Sequence, residues 1–246
     1  MSAIHTSFFA VAFCAIALVA CSPRARNEKT RGTAVEHGRA LFDDRRASPN
    51  ASNAFSCGTC HRAEHAVSRI DPGGALAGAT RRHDFWGGQR VDLLEAINDC
   101  RTFFMDAPRP WTASDEDARA TYAFLAQLAS SSPSVEPIPF TIVPAAELPR
   151  GDPKRGAAVY ALACKGCHGT LREGVGRLTT FIPVLPDEVV REHASIAPAG
   201  SPALRLVFVS KVRGGAFRSG GSMPPFSREA LADEDLAGIL ALFALY

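Results

Sequence analysis

Apolar side chains repeat every three or four positions over residues 91–100, 114–129, 201–212 and 232–246. Such spacing is typical of amphipathic helices that bury one face against a core. No segment shows the strict alternation of apolar and polar residues that a half-buried strand requires. The pattern therefore predicts an all-α protein.

The predicted helices occur twice in the same order, which indicates an internal repeat. Asp152 is suited to cap a helix that starts with Pro153. The residues Gly38, Leu41 and Phe42 correspond to Gly156, Val159 and Tyr160 on the first helix of each copy. Near the end of each copy, a methionine precedes an acidic helix start by ten residues, at Met105 before Asp115 and at Met223 before Asp233.

Composition changes along the chain suggest where the copies divide. Prolines and serines concentrate over 130–149, which favours an extended linker. We therefore predict one domain over 33–129 and another over 150–246. Residues 22–32 are polar and are predicted to form a flexible tether.

Each copy contains one C-x-x-C-H sequence, at 57–61 and at 164–168. This is the attachment sequence for c-type haem, in which two thiols bond to the vinyl groups and the histidine binds the iron. The sequence predicts two covalently bound haem c groups. The predicted thioether residues are Cys57, Cys60, Cys164 and Cys167, and the predicted proximal iron ligands are His61 and His168.

The second copy resembles a class I cytochrome c domain over nearly its whole length. The resemblance rests on Gly156 and Tyr160, the motif at 164–168, the sequence Met-Pro-Pro at 223–225 and the terminal helix. It implies two tandem cytochrome c-like helical domains, each wrapped around one haem. It also implies that Met223 is the sixth iron ligand, a soft thioether that favours Fe(II).

Two residues compete as the sixth ligand of the first haem. Met105 occupies the position that corresponds to Met223, whereas Cys100 is a cysteine that no motif uses. Residues 96–100 resemble the region of the axial cysteine in dihaem thiosulfate dehydrogenases. The following residues, 101–105, depart from that family because they are largely apolar. Cys100 can also be a small buried residue on a helix.

Arginines near the first motif are candidates for binding negative charge. Arg81, Arg82 and Arg90 can neutralise haem propionates, although a solvated loop explains them equally well. Together with Arg81 and Arg82, Arg101 and Arg109 can provide the basic pocket that an anionic substrate needs.

The N-terminus predicts export from the cytoplasm. Residues 8–19 form an apolar run that is too short to span a bilayer, and residues 18–22 resemble a bacterial lipobox. Residues 1–21 are therefore predicted as a lipoprotein signal that ends at Cys21, the lipidation site, and an ordinary secretory signal is the alternative. Both place the mature protein in the periplasm, and the lipid would anchor it to a bacterial membrane.

Composition adds few constraints on function. Hydrophobic residues make up 46% and charged residues 21% of the 246 residues, which is typical of a globular protein. The formal net charge of +2 is too small to indicate nucleic-acid binding.

We expect an electron-transfer protein rather than an enzyme. The expected role is to carry single electrons between redox partners such as other cytochromes, a dehydrogenase or a terminal oxidase. The alternative is a thiosulfate-type oxidoreductase that uses Cys100 as an axial ligand of the first haem. A third class of function is a dihaem peroxidase. The histidine and glutamate pattern that such enzymes have is not found in the sequence.

Overall fold

A computed structural model describes residues 23–63, 69–130, 139–144, 147–215 and 221–245. Within these ranges the α-helices are α1 (Pro23–Asp43), α2 (Cys57–Cys60), α3 (Leu93–Phe103), α4 (Glu116–Ser130), α5 (Pro153–Ala163), α6 (Lys165–His168), α7 (Asp187–His193), α8 (Pro202–Gly214) and α9 (Asp233–Leu242). Short 3-10 turns cover Arg45–Ala47 and Ala79–Arg81. The same ranges contain no β-strand, so the all-α prediction is confirmed.

The helices begin where capping residues satisfy their first backbone N–H groups. The Asp152 side chain accepts a hydrogen bond of 2.9 Å from the backbone N–H of Lys154. Asp92 caps α3 and Ser201 caps α8 in the same way. Helix α9 is shorter than predicted, because Ala244 has a φ of 59° and cannot continue a right-handed helix.

Residues 22–32 are the segment predicted as a flexible tether. From Pro23 onwards the backbone is helical and forms the first part of α1, and residue 22 lies outside the described ranges. Alanine, arginine, glutamate and lysine are good helix formers, and neither glycine nor proline interrupts residues 24–31. The helix continues without a break into the part of α1 that packs on α4.

The two halves of the chain are built around the same helix crossing. Helix α1 packs on α4 in the first half (33–129), and α5 packs on α9 in the second half (150–246). Gly38 lies directly against the backbone of Ala120, and Gly156 lies against the backbone of Gly238. Neither glycine has room for a Cβ atom, which explains why glycine stands at corresponding positions of the repeat.

We expect Gly156→Ala to destabilise the second half. The added methyl group would overlap the carbonyl of Gly238 and push α5 away from α9. Such overpacking lowers the free energy of unfolding by roughly 1–3 kcal/mol, measurable by thermal denaturation. Gly214→Ala is the matched control, because nothing lies within 4 Å of its Cβ position. Equal stability of the two variants would contradict the close crossing.

Each half has its own apolar core, and each core also receives residues from elsewhere in the chain. Ile70 packs against the core of the second half, and Ile182 packs against a core of the first half. The backbone N–H of Ile70 also donates to the carbonyl of Leu162 at 3.1 Å. Among the described residues, no helix is both long enough and apolar enough to cross a membrane.

Candidate functional site

The first C-x-x-C-H sequence forms the single helical turn α2. The turn begins after Ser56, whose backbone N–H donates to the hydroxyl of Thr59 at 3.0 Å. Cys57 and Cys60 stand at the two ends of this turn, and His61 follows it in an extended conformation. The two thiols and the imidazole all line one cavity.

This cavity has a volume of about 510 Å³ and lies mainly within the first half of the chain. Its apolar wall includes Leu41, Phe42, Phe55, Ile97, Phe104, Trp111, Phe124 and Leu125. The volume falls within the roughly 300–1,000 Å³ that is typical of cofactor sites. An apolar chamber that contains two thiols and one imidazole has the chemistry required to hold a c-type haem.

The orientation of His61 is fixed by a backbone carbonyl. Its Nδ1 atom lies 2.9 Å from the carbonyl oxygen of Gly73. Because a carbonyl only accepts, Nδ1 carries the proton and Nε2 keeps a free lone pair for a metal. Burial lowers the pKa of His61, so the ring stays neutral as a metal ligand requires.

Gly73→Ala is expected to disturb His61 directly. A Cβ atom at this position would overlap the imidazole ring, because the ring packs on the glycine backbone. Overpacking costs roughly 1–3 kcal/mol, and about 1.4 kcal/mol corresponds to a tenfold change in an equilibrium. We therefore expect the share of protein with haem at the first site to fall by about tenfold. Mass spectrometry of the proteolytic peptide that contains residues 57–61 gives this share. Gly166→Ala is the control, because nothing lies within 4 Å of its Cβ position, and an equal loss in both variants would contradict the prediction.

The second C-x-x-C-H sequence is arranged similarly. Cys164 ends α5, and His168 ends the short helix α6. His168 is 8% exposed, and its Nδ1 atom lies 2.8 Å from the carbonyl oxygen of Pro183. Burial lowers the pKa of His168 as well. Both motif histidines therefore have a neutral ring with Nε2 available.

The motif cysteines do not resemble a thiol redox pair. Burial raises the pKa of Cys57 to about 11, and the pKa values of Cys60 and Cys164 to about 12. The pKa of Cys167 is raised by burial too. Reactive C-x-x-C pairs have a lowered pKa that favours the thiolate, so partly buried thiols with raised pKa values argue against that use of the sequence.

The structure brings both candidates for the sixth ligand of the first haem to the same cavity. Met105, which is 3% exposed, follows α3 and lines the wall. Cys100 lies on α3 and lines the wall as well, and burial raises the pKa of its thiol. In the second half, Met223 lies between α8 and α9 and packs against the core.

The arginines of the first half differ in whether they pair with a carboxylate. Arg90 forms an ion pair of 2.7 Å with Asp99, and Arg109 forms one of 2.9 Å with Asp115. Arg81 donates to the carbonyl of Ala129 at 2.7 Å. Arg90 and Arg109 therefore already pair with a carboxylate. They are less available to bind a haem propionate or an anionic substrate, as the sequence predicted for them.

Arg82 and Arg101 are better placed for an anionic group. Both line the cavity, and no described carboxylate lies within ion-pair distance of either guanidinium. Arg101 is 3% exposed and stacks at 3.7 Å over the ring of Trp111. Burial, together with the positive charge of Arg109, lowers the pKa of Arg101 to about 10. A buried cation without a carboxylate fits a cavity whose ligand brings negative charge, as haem propionates do.

Sequence reasoning missed a connection between the two halves. Pro224 and Pro225, which follow Met223, line the cavity of the first half. The positive charge of Arg69 acts against the rise in pKa of both Cys60 and Cys167, which belong to different halves. The only sequence signal for this region is the turn-forming Pro-Gly-Gly at 72–74.

One of the predicted positions falls outside the described residues. The proposed lipidation site Cys21 precedes the first described residue, Pro23.

Comparison with known families identifies one part of the chain. Residues 151–242 match the family described as cytochrome c oxidase, cbb3-type, subunit III. The match places a cytochrome c domain in the second half, and such a domain carries covalently bound haem c with its iron. Haem-based electron transfer is the chemistry that this match supports.

The search of solved structures matched thiosulfate dehydrogenase (TsdBA) from Marichromatium purpuratum in its "as isolated" form. The sequence identity is 22% and the TM-score is 0.44. The match covers 87% of this chain and 46% of the other, so this chain spans less than half the length of that protein. No curated protein matches the chain.

Proposed function

We propose that this chain is a dihaem c-type cytochrome that carries single electrons between redox partners. The observation that carries the proposal is the position of His61, whose Nδ1 donates to the carbonyl of Gly73 beside two thiols in an apolar cavity, so that Nε2 is the nitrogen that would bind iron. A haem held there would supply an iron that accepts and releases one electron. The similar arrangement of His168 supports a second haem.

The protein's own residues then determine how easily an electron is accepted. The apolar walls exclude water and lower the local dielectric constant, so charges near the site act strongly. Arg82 and Arg101 would offset the negative charge of propionates. Thioether ligation by Met223, and by Met105 in the first half, would favour the reduced iron and raise the potential.

The contact between the halves supports transfer from one haem to the other. Pro224 and Pro225 of the second half line the cavity that contains the first motif. The N–H of Ile70 donates to the carbonyl of Leu162 near the end of α5, just before the second motif. Two haems attached at the two motifs would therefore lie within one folded unit.

A redox titration with optical detection tests the proposal. Protein matured in bacteria that attach c-type haem should carry two haems by mass and should show two one-electron steps. A single added haem would contradict the dihaem assignment, and iron that binds external ligands freely in both sites would contradict electron transfer as the main role.

We further propose a periplasmic, lipid-anchored location through Cys21. The support is the apolar run over 8–19 followed by the lipobox-like sequence. The partners proposed are other cytochromes, a dehydrogenase or a terminal oxidase, and the matched family is itself described as an oxidase subunit. Cys21→Ser should abolish labelling by fatty acid and release the protein from membranes, and retention on membranes would contradict the anchor.

The second candidate function is a thiosulfate-type oxidoreductase. The observation that favours it is the position of Cys100, which lines the cavity together with the buried cation of Arg101. A thiolate ligand at this position would lower the potential of the first haem. Turnover of thiosulfate by the purified dihaem protein, lost in Cys100→Ala, would favour this function over electron transport alone.

A further inference from the structure

Arg213 occupies an unusual position in the second half. Its side chain projects from the end of α8 and is fully buried. Its Nη1 atom lies 3.1 Å from the carbonyl oxygen of Phe226, 3.2 Å from that of Ser227 and 2.7 Å from that of Leu231. All three carbonyls belong to the segment 221–231, which carries Met223 and leads to α9.

The same guanidinium also holds the start of the last helix. Its Nη2 atom forms an ion pair of 2.7 Å with Asp233, the first residue of α9. Asp233 is shared with Arg228 at 3.4 Å. Arg213 therefore connects the end of α8, the segment 221–231 and the start of α9 through one side chain.

Backbone contacts bring this connection to Met223 itself. The N–H of Phe226 donates to the carbonyl of Val212 at 2.8 Å. Gly215 has a φ of 59°, and a Cβ atom there would lie 2.6 Å from both the Met223 carbonyl oxygen and the Pro225 nitrogen. The backbone at 223–225 therefore packs closely against the C-terminal end of α8, the helix that carries Arg213.

We propose that Arg213 is the positioning residue for Met223: it keeps the segment 221–231 closed on α8, so that the Met223 thioether stays on the iron of the second haem. The inference rests on the proposed function, in which Met223 is an iron ligand. A guanidinium is suited to this role because its planar fork of donors binds several acceptors at fixed angles. Without the guanidinium, the three carbonyls would lose a charged hydrogen-bond donor in a buried position. The free energy of the closed form of segment 221–231 would then rise relative to that of an open form.

The test compares Arg213→Met with Arg155→Met in the haem-loaded protein. Arg155 forms an exposed ion pair of 2.7 Å with Asp235, so its replacement removes an arginine contact between α5 and α9 without touching the segment 221–231. The first readout is the far-red absorption band of methionine-ligated ferric haem. The second is the affinity of the second haem for added imidazole, which competes with Met223.

We expect Arg213→Met to weaken the band and to raise the imidazole affinity roughly ten- to a hundredfold, the factor that corresponds to losing a charged buried hydrogen bond. Arg155→Met should behave as the wild type. An unchanged band and unchanged imidazole affinity in Arg213→Met would overturn the inference and leave the proposed function standing. A wild-type band that does not depend on Met223, as tested with Met223→Ala, would overturn the ligand assignment and the inference together.

If Arg213→Met does not fold, thermal denaturation of Arg213→Lys tests the inference instead. Lysine keeps the charge, but its ammonium group cannot reach the three carbonyls and Asp233 at once. We expect the share of the band that depends on Met223 to disappear at a lower temperature than the helical circular dichroism signal in this variant, whereas the two coincide more closely in the wild type. A band and a helical signal that shift together by the same amount would mean that Arg213 stabilises the fold only, which overturns the inference.

Discussion

The double variant C57S/C60S is expected to lose one haem by mass and, with it, the folded structure of the first half. Serine hydroxyls do not form the thioether bonds that attach the haem, so the cavity of about 510 Å³ would remain without its occupant. Without the haem, the apolar wall of this cavity would lose the contacts and the binding free energy that the haem supplies to the folded state. Single domains are stable by only about 5–15 kcal/mol, so the first half should need its haem to stay folded.

Circular dichroism and intact mass measure this outcome together. Part of the helical signal should be lost, corresponding to α1, α3 and α4, while one haem remains attached at 164–168. The mirror variant C164S/C167S should retain the haem at 57–61 instead. Two haems in C57S/C60S, or full helical content without the first haem, would contradict the requirement.

The second large effect is expected from Met105→Ala. Met105 corresponds to Met223 in the repeat, and it is buried on the cavity wall. Loss of the thioether should remove the methionine-dependent far-red band of the first haem. Axial ligands tune haem potentials over about 0.8 V, so we expect the potential of this haem to fall by on the order of a few hundred millivolts in a redox titration.

Cys100→Ala is the matched comparison, because Cys100 lines the same cavity five residues earlier in the chain. We expect its optical and electron paramagnetic resonance spectra, and both potentials, to equal those of the wild type. The reverse result, with normal spectra in Met105→Ala and altered spectra in Cys100→Ala, would establish a thiolate ligand. That result would favour the sulfur-oxidising function over simple electron carriage.

The sequence predicted the helices well because their determinants are local. The caps at Asp152 and Ser201 act within three residues of themselves, and apolar spacing marks the buried face of each helix. Gly38 and Gly156 were matched by spacing alone, and the structure shows each one at a helix crossing. The first part of α1 was not predicted as a helix, because its polar composition was taken to indicate a tether, although several of its residue types favour a helix.

Charge partners were harder to predict, because an ion pair depends on which distant segments meet. The sequence alone does not distinguish the environments of Arg82, Arg90 and Arg101. In the fold, Arg90 meets Asp99, whereas Arg101 is buried over Trp111 without a carboxylate in the described structure. Helical spacing carries no information on this difference.

The amino-acid sequence by itself predicts the two haem attachment sites, since two thiols and a histidine within five residues form a local motif that does not depend on the rest of the fold. It also determined the helical repeat, because helix formation depends on near neighbours. Only the tertiary structure decided that Pro224 and Pro225 of one half line the cavity of the other, and that Arg213 fastens the segment carrying Met223. Those contacts join residues far apart in the chain, and they form only when burial of apolar surface brings the helices together.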